Sequence, residues 1–549
     1  MLTRQGSGIS RSFVAVLALY FGFLAFEFLA GPGPILRYGH DVANLLSQAW
    51  RIHQGQVVDA DFYQAVPMSA LLYGWTAKLF GMSGSLAWQL NLIAFTFLFW
   101  LAWWASGVGT KTWVRLLFCV WIAGAVLGRH PLSHEVTEAN YGSIFNRIAF
   151  ALLSIQLILQ GLSAGSREAS DQGSIGLVAG IVSGFLALYK VGFAASSFAV
   201  FGVGWLLLGN RRKRPLALYL VGFAAAVGAV VAQGQISLPG YLRELARYSA
   251  VLSDTLRAET SNLAGLTFIE RVSFRSSMNI GLAKFVATLA NEFWRICLIG
   301  VPIAVLIRQS APATRRRLFF SLGTIGLGLG MSLICWQWGE VLYVNLAAVL
   351  ALAALTAPEA ERDLPDLQRG AGWIALWVLA VVAVQAPVKS VASVLESWQW
   401  MSLHSADWAQ RRQLLPRLID DVTIFSDAAN CPKGTFEERQ HDGFKLISGL
   451  AAKGERVMVP DYVNLFPLYL ESNPPTGDLW GWEYRYSFDL EHLPPWEGIR
   501  DGTDWIAVPK CPQINDSVAA FMRAYKPRLE ESFALKGQSE YWALYGKKR

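Results

Sequence analysis

Apolar runs dominate the chain from residue 13 to residue 388. The first covers residues 13–30, and comparable runs follow at 85–106, 112–128, 147–162, 174–189, 192–208, 216–233, 292–307, 318–336, 341–357 and 372–388. A bilayer crossing takes about 20 residues of this kind, so the pattern predicts about 11 transmembrane helices. The first run is too long for the apolar core of a secretory signal and has no small-x-small cleavage site, so it reads as a span. The stretch 67–81, "PMSALLYGWTAKLFG", is short and predicts a helix lying at or dipping into the membrane interface.

The polar stretches between the runs set an orientation. Lys111 with Arg115, "NRRKRP" at 210–215, "RQSAPATRRR" at 308–317, and Arg362 with Arg369 all fall on one side of the predicted spans. Arg4 and Arg11 precede the first span, and short basic loops mark the cytoplasm. The longer segments 31–84, 129–146 and 234–291, and the tail from Lys389, then lie outside. The tail alternates helical signals near 437–452 and 515–526 with strand-like "ERVMVPDY" and "DWIAVPK". Expected is a transmembrane module over 1–388 followed by a small extracytoplasmic α/β domain over 389–549, an ordinary domain size.

Composition supports the membrane reading. Of 549 residues 53% are hydrophobic and only 16% charged, and the mean hydropathy is +0.34. The net charge of +7 sits largely in the short loops and does not point to nucleic acid. Cys119, Cys297 and Cys335 lie in apolar runs as packing residues, while Cys431 and Cys511 lie in the tail and could pair if that tail is extracytoplasmic.

The richest polar stretch follows the first span: "YGHDVANLLSQAWRIHQGQVVDADFYQAVP", 38–67. Val42, Leu45, Leu46, Ala49, Trp50 and His53 recur with helical spacing, and Gly55 is a plausible stop. Asp41, immediately before this amphipathic helix, is placed to cap it. The same carboxylate, at a helix start beside an outer cavity, could accept a proton from an attacking hydroxyl. Asp59 and Asp61 are turn or loop residues that could also reach a substrate. His40 and His53 have no spaced partner that would make them metal ligands.

"GHD" after an apolar span, a helix ending in "HQGQ", then "DADFYQAVPM" and "LLYGWTAKLFGMSG" together resemble bacterial polytopic glycosyltransferases of the GT-C superfamily. This group includes the lipid A aminoarabinose and protein O-mannosyl transferases. The tyrosine that usually precedes "DF" is absent here, and a single Pro67 replaces the usual pair. The resemblance implies an enzyme of the bacterial cytoplasmic (inner) membrane working on its outer face. Its donor would be a sugar on polyprenyl phosphate, and its acceptor a hydroxyl on a glycan, lipid or protein. It further implies Asp41 as general base with inversion at the sugar carbon. In "GRHPLSHEVTEANYGSIFNR", 128–147, it draws attention to His134, Glu135 and Glu138 as second-loop site residues. Asp41 and Glu135 could hold a divalent cation such as Mg or Mn, since hard cations use carboxylate oxygens. Cations for the leaving phosphate could come from Lys190, near the outer end of a span, or from the pairs Arg243/Arg247 and Arg271/Arg275, each spaced to share a helical face. Lys190 could equally snorkel to the interface, and the arginines could face lipid headgroups. The competing readings are a flippase or transporter for lipid-linked sugar, for which no internal repeat is visible, and a glycan polymerase or ligase.

Overall fold

The computed structural model describes residues 11–31, 39–64, 66–107, 110, 111–128, 144–163, 169–207, 213–262, 281–310, 312–334, 340–355, scattered positions between 374 and 399, 434–451 and 454–548. It opens with helices α1 (Arg11–Ala30) and α2 (Gly39–His53), then strand β1 (Phe62–Tyr63) and helices α3 (Pro67–Phe80), α4 (Leu86–Ala105), α5 (Thr112–Leu127), α6 (Ile144–Ser163), α7 (Ala169–Tyr189), α8 (Val191–Leu207), α9 (Lys213–Val231), α10 (Leu238–Asn262), α11 (Gly281–Gln309), α12 (Pro312–Ile334) and α13 (Glu340–Leu355). A helix occupies every expected span as far as 341–357; most of the last, 372–388, lies outside the described residues. By length and composition alone, α1, α4, the 146–163 part of α6, and α9 suffice to cross a membrane. At 14 residues α3 is too short to span unaided. It packs on α2, where a side chain at Gly74 would strike Ile52, and its final Leu79 and Phe80 are exposed.

The tightest helix pair is α7 with α9. Gly176, Gly180 and Gly184 fall four residues apart on one stripe of α7, and a side chain there would strike the carbonyl oxygens of Pro215, Tyr219 and Phe223, the last at 2.7 Å. Gly222 makes the reciprocal approach to Leu177. Helices in lipid gain little from burying apolar groups against one another, so small residues that let backbones touch are the usual solution.

The C-terminal unit contains α14 (Phe436–Ser448), β2 (Val457–Met458), α15 (Phe466–Tyr469), β3 (Asp478–Leu479), α16 (Trp496–Gly502), β4 (Trp505–Pro509), α17 (Asn515–Ser532), β5 (Phe533–Gln538) and β6 (Trp542–Lys547). Both expected helices and both expected strand regions are present. β5 and β6 are additional strands, completing a mixed sheet of order β2-β4-β6-β5, in which β2 and β4 are parallel and the other neighbours antiparallel. A full capping box at Thr435 and Glu438 starts α14. The unit's own core is aromatic: buried Trp482 has ring contacts to Phe488 at 5.1 Å and Phe521 at 5.2 Å. Cys511 is in a disulfide, and Cys431 lies outside the described residues. Cys119 and Cys297 are free.

Phe62 of β1 makes an isolated bridge to nearby Val58, but the strand's ladder is formed with a distant partner. It runs parallel to β3, with Phe62 opposite Asp478 and Tyr63 opposite Leu479. The first long loop is thus bonded into the C-terminal unit.

Candidate functional site

The site is organised by α2. Its sequence is amphipathic, and such a helix ordinarily leaves its polar side in water. Here every residue from Val42 to Ile52 is buried, because the C-terminal unit covers the polar side. Arg51 makes a two-pronged bond to Asp478, Nη1 to Oδ1 at 2.9 Å and Nη2 to Oδ2 at 2.8 Å, both side chains being 2% exposed. Arg51 also donates to the Pro475 carbonyl at 2.8 Å. Trp50 Nε1 donates to the Ser472 carbonyl and Gln56 Nε2 to that of Pro475. The paired geometry matters, because a buried guanidinium is tolerated only when its donors are met. His53, assigned by spacing to the apolar stripe, is instead exposed and stacked on Trp50.

Asp41 stands in the first turn of α2 rather than before it, since the helix begins at Gly39. The correction is small and physically reasonable: the exposed amides and dipole of the first turn favour a carboxylate there as well as at the cap. The Tyr462 hydroxyl donates to Asp41 Oδ1 at 3.0 Å. Glu483 follows Trp482 in the chain. Burial, reinforced by the Asp41 charge, pushes its carboxyl up to about 7. The Tyr486 hydroxyl is pushed up to about 12 by burial and by Glu483, with Asp41 contributing less. From below, Tyr73 on α3 also senses Asp41, and Tyr189 at the end of α7 senses Tyr73. The arrangement is a carboxylate ringed by phenols with a second carboxyl close enough to resist ionising beside it.

The other predicted residues separate into three groups. Asp61 accepts from the Val57 amide at 2.7 Å and closes the 57–61 turn. Asp59, with a left-handed φ of 61°, is 2% exposed. One of its oxygens accepts from the Gln64 amide and the other has no hydrogen-bond partner. Burial pushes its carboxyl up to about 8, with Glu244 adding to the rise and Arg247 opposing it. Lys190 sits at the break between α7 and α8, donates to Asn146 Oδ1 at 3.2 Å and lies 5.9 Å from the Phe193 ring. Arg243 and Arg247 part company. Arg243 is exposed, whereas Arg247 pairs with Glu244 at 2.5 Å and donates to the Ser487 carbonyl at 2.8 Å, holding α10 to the loop that carries Glu483. His134, Glu135, Glu138, Arg271 and Arg275 lie outside the described residues, as does the side chain of His40.

Among the described residues no three His, Cys, Asp or Glu side chains gather as a metal site would require. Asp41 and Glu483 offer oxygen ligands of the type a hard cation uses, but two carboxyls make only part of such a shell. Neither Glu483 nor Tyr462 was singled out from sequence. "VPDYVN" and "GWEYRYS" carry no local signature of their role, which arises from meeting α2 across more than four hundred residues of chain.

No family model matches the chain, and no curated relative does. The fold is similar to that of ArnT from Cupriavidus metallidurans in its apo state, with a TM-score of 0.51 and 12% identity over 97% of this chain and 98% of the other. A second structure of that protein, bound to undecaprenyl phosphate, has a TM-score of 0.45 and 11% identity over 97% of each chain. A mutant of the mycobacterial arabinofuranosyltransferase AftD has a TM-score of 0.40 and 13% identity over 99% of this chain and 42% of the other. The chain has an ArnT-like, multi-pass membrane fold.

Proposed function

We propose that this ArnT-like chain is a GT-C-type glycosyltransferase that moves a sugar from a polyprenyl-phosphate donor to an acceptor hydroxyl on the outer face of the bacterial inner membrane. The observation that supports this most is the seating of Asp41, held at the start of α2 by Tyr462 of the C-terminal unit beside the half-buried carboxyl of Glu483. ArnT itself has been captured with undecaprenyl phosphate, a carrier of the class proposed.

In the proposed step Asp41 accepts the acceptor's proton as its oxygen attacks the anomeric carbon. The bond from that carbon to the phosphate oxygen breaks on the opposite side, the sugar inverts, and the lipid phosphate departs as an anion. Departure is eased by a cation at the developing charge. Of the described candidates Lys190 stands at the break after α7, whereas Arg247 is engaged by Glu244 and Arg243 is exposed; Arg271, Arg275 and His134 remain proposals for substrate contact, as does Asp61 despite its turn bond. Below about pH 7 Glu483 keeps its proton, which limits the negative charge that a phosphate-bearing donor meets beside Asp41. A divalent cation at Asp41 and Glu135 would supply further charge neutralisation, and no step above depends on it.

The test is a purified-protein assay with a panel of polyprenyl-phosphate sugars, run with and without chelator. Transfer with inversion is expected, and Asp41→Asn should lower turnover by roughly 10²–10⁴-fold while leaving the protein folded. Transfer from a nucleotide sugar but from no lipid carrier rejects the donor assignment, and movement of the lipid across the bilayer without transfer favours the flippase.

A further inference from the structure

A row of hydrogen bonds runs from the Gln64 side chain to the backbone carbonyl of Tyr462, whose hydroxyl in turn reaches Asp41. Gln64 Nε2 donates to Gln48 Oε1 at 2.8 Å. Gln48 Nε2 donates to Asn44 Oδ1 at 2.6 Å. Asn44 Nδ2 donates to the Tyr462 carbonyl at 2.7 Å, and the Tyr462 hydroxyl donates to Asp41 Oδ1. The three amide side chains are each 1% exposed. Asp41, Asn44 and Gln48 lie three and four residues apart, so they share one face of α2.

We infer that Gln64, Gln48 and Asn44 form a buried amide relay whose task is to hold Tyr462 in position on Asp41, making them positioning residues for the proposed transfer. The inference rests on Asp41 being the base in that reading. Several features separate it from ordinary packing. Gln48 and Asn44 each accept on one side and donate on the other, so flipping either would set like against like along the row. The backbone of Tyr462 is gripped at both ends. Its carbonyl is held by Asn44, and its amide donates to Asp461 Oδ1 at 2.8 Å. Asp461 is fixed in turn by the amides of Gln513 at 2.6 Å and Ile514 at 3.1 Å. The Trp480 ring meets the Tyr462 ring at 5.6 Å, so little freedom is left to the phenol. A Cβ at position 481 would come 2.6 Å from Asn44 Nδ2 and 3.1 Å from the Tyr462 carbonyl oxygen, so a side chain there would press on this bonded pair. An apolar seam would fasten the C-terminal unit equally well, whereas a directional row of hydrogen bonds also specifies one geometry.

The consequence is geometric. The bond that the Tyr462 hydroxyl donates to Asp41 keeps its length and angle while the residue's backbone stays where Asn44 and Asp461 hold it.

The experiment follows the phenol C–O stretch of Tyr462 by infrared difference spectroscopy on the full-length protein at one fixed pH, subtracting Tyr462→Phe. Gln48→Met, which keeps the length of the side chain, should shift or broaden that band and lower kcat by about threefold to tenfold with KM held. In the Tyr462→Phe background Gln48→Met should lower kcat no further, because coupled residues are non-additive. Gln64→Met, at the far end of the row, provides the same readout should Gln48→Met not fold. A band that is unchanged in folded Gln48→Met and Gln64→Met, or a kcat loss that adds in full to that of Tyr462→Phe, overturns the relay. The infrared result stands whether or not sugar transfer is found, and transfer without any relay effect would leave the proposed function in place.

Discussion

The seam between α7 and α9 and the seam between α2 and the C-terminal unit solve opposite problems. The first is made of absence: glycines at 176, 180, 184 and 222 let backbone approach backbone. The second is crowded with polar groups, namely the Arg51–Asp478 fork and the row of amides, Gln64, Gln48 and Asn44, that ends on the Tyr462 carbonyl. Lipid offers no penalty for separating apolar helices, so the first seam is held by closeness. The second must orient a charged group, and only directional bonds do that. Shape holds one seam; pairing holds the other.

The two seams should therefore fail differently. Gly180→Leu drives a side chain into the Tyr219 carbonyl and should cost about 3 kcal/mol or more, read as loss of monodisperse protein in detergent. Arg51→Met strands Asp478 in a buried site and should cost about 3–5 kcal/mol, read as a fall in melting temperature. Adding Asp478→Leu should restore most of the loss, a rescue that no second substitution on α9 should give Gly180→Leu.

A smaller effect sharpens the comparison through pH. Asp59 titrates in the fold at about 8, up from 3.8. The folded state therefore keeps its proton where the unfolded chain has lost it. Its contribution to stability is complete below about pH 4 and declines as pH rises toward 8. Asp59→Asn removes that decline, so its melting temperature should match wild type near pH 4 and exceed it at pH 8, by on the order of a few kcal/mol in stability. The smallest effect concerns Glu483. Above about pH 7 its ionisation adds a second negative charge near Asp41, and under the proposed reaction KM for an anionic donor should rise a few-fold. Glu483→Gln should flatten that rise.

Legibility followed distance along the chain. Spans and the helices and strand regions of the tail could be read because each rests on local periodicity. Asp41 could be read too, because a carboxylate at a helix start is a local signal. β5 and β6 were not foreseen, although Trp542, Leu544 and Gly546 alternate with outward-facing neighbours; they are short strands following directly on a long helix. The amphipathic pattern of α2 predicts the helix, but nothing local announces that residues 462–481 will cover its polar side. Arg247 shows the same limit: its spacing to Arg243 suggested a shared basic face, and the structure spends it on Glu244 and Ser487 instead.

The pairing of β1 with β3 carries a consequence for biosynthesis. During translation α2 leaves the ribosome some four hundred residues ahead of the strand and loops that will cover it. Until then Asn44, Gln48 and Arg51 must find other company, in water or with a holding factor. Cutting the chain before residue 434 would leave them so permanently, and the truncated protein would be a target for quality control rather than a working membrane core.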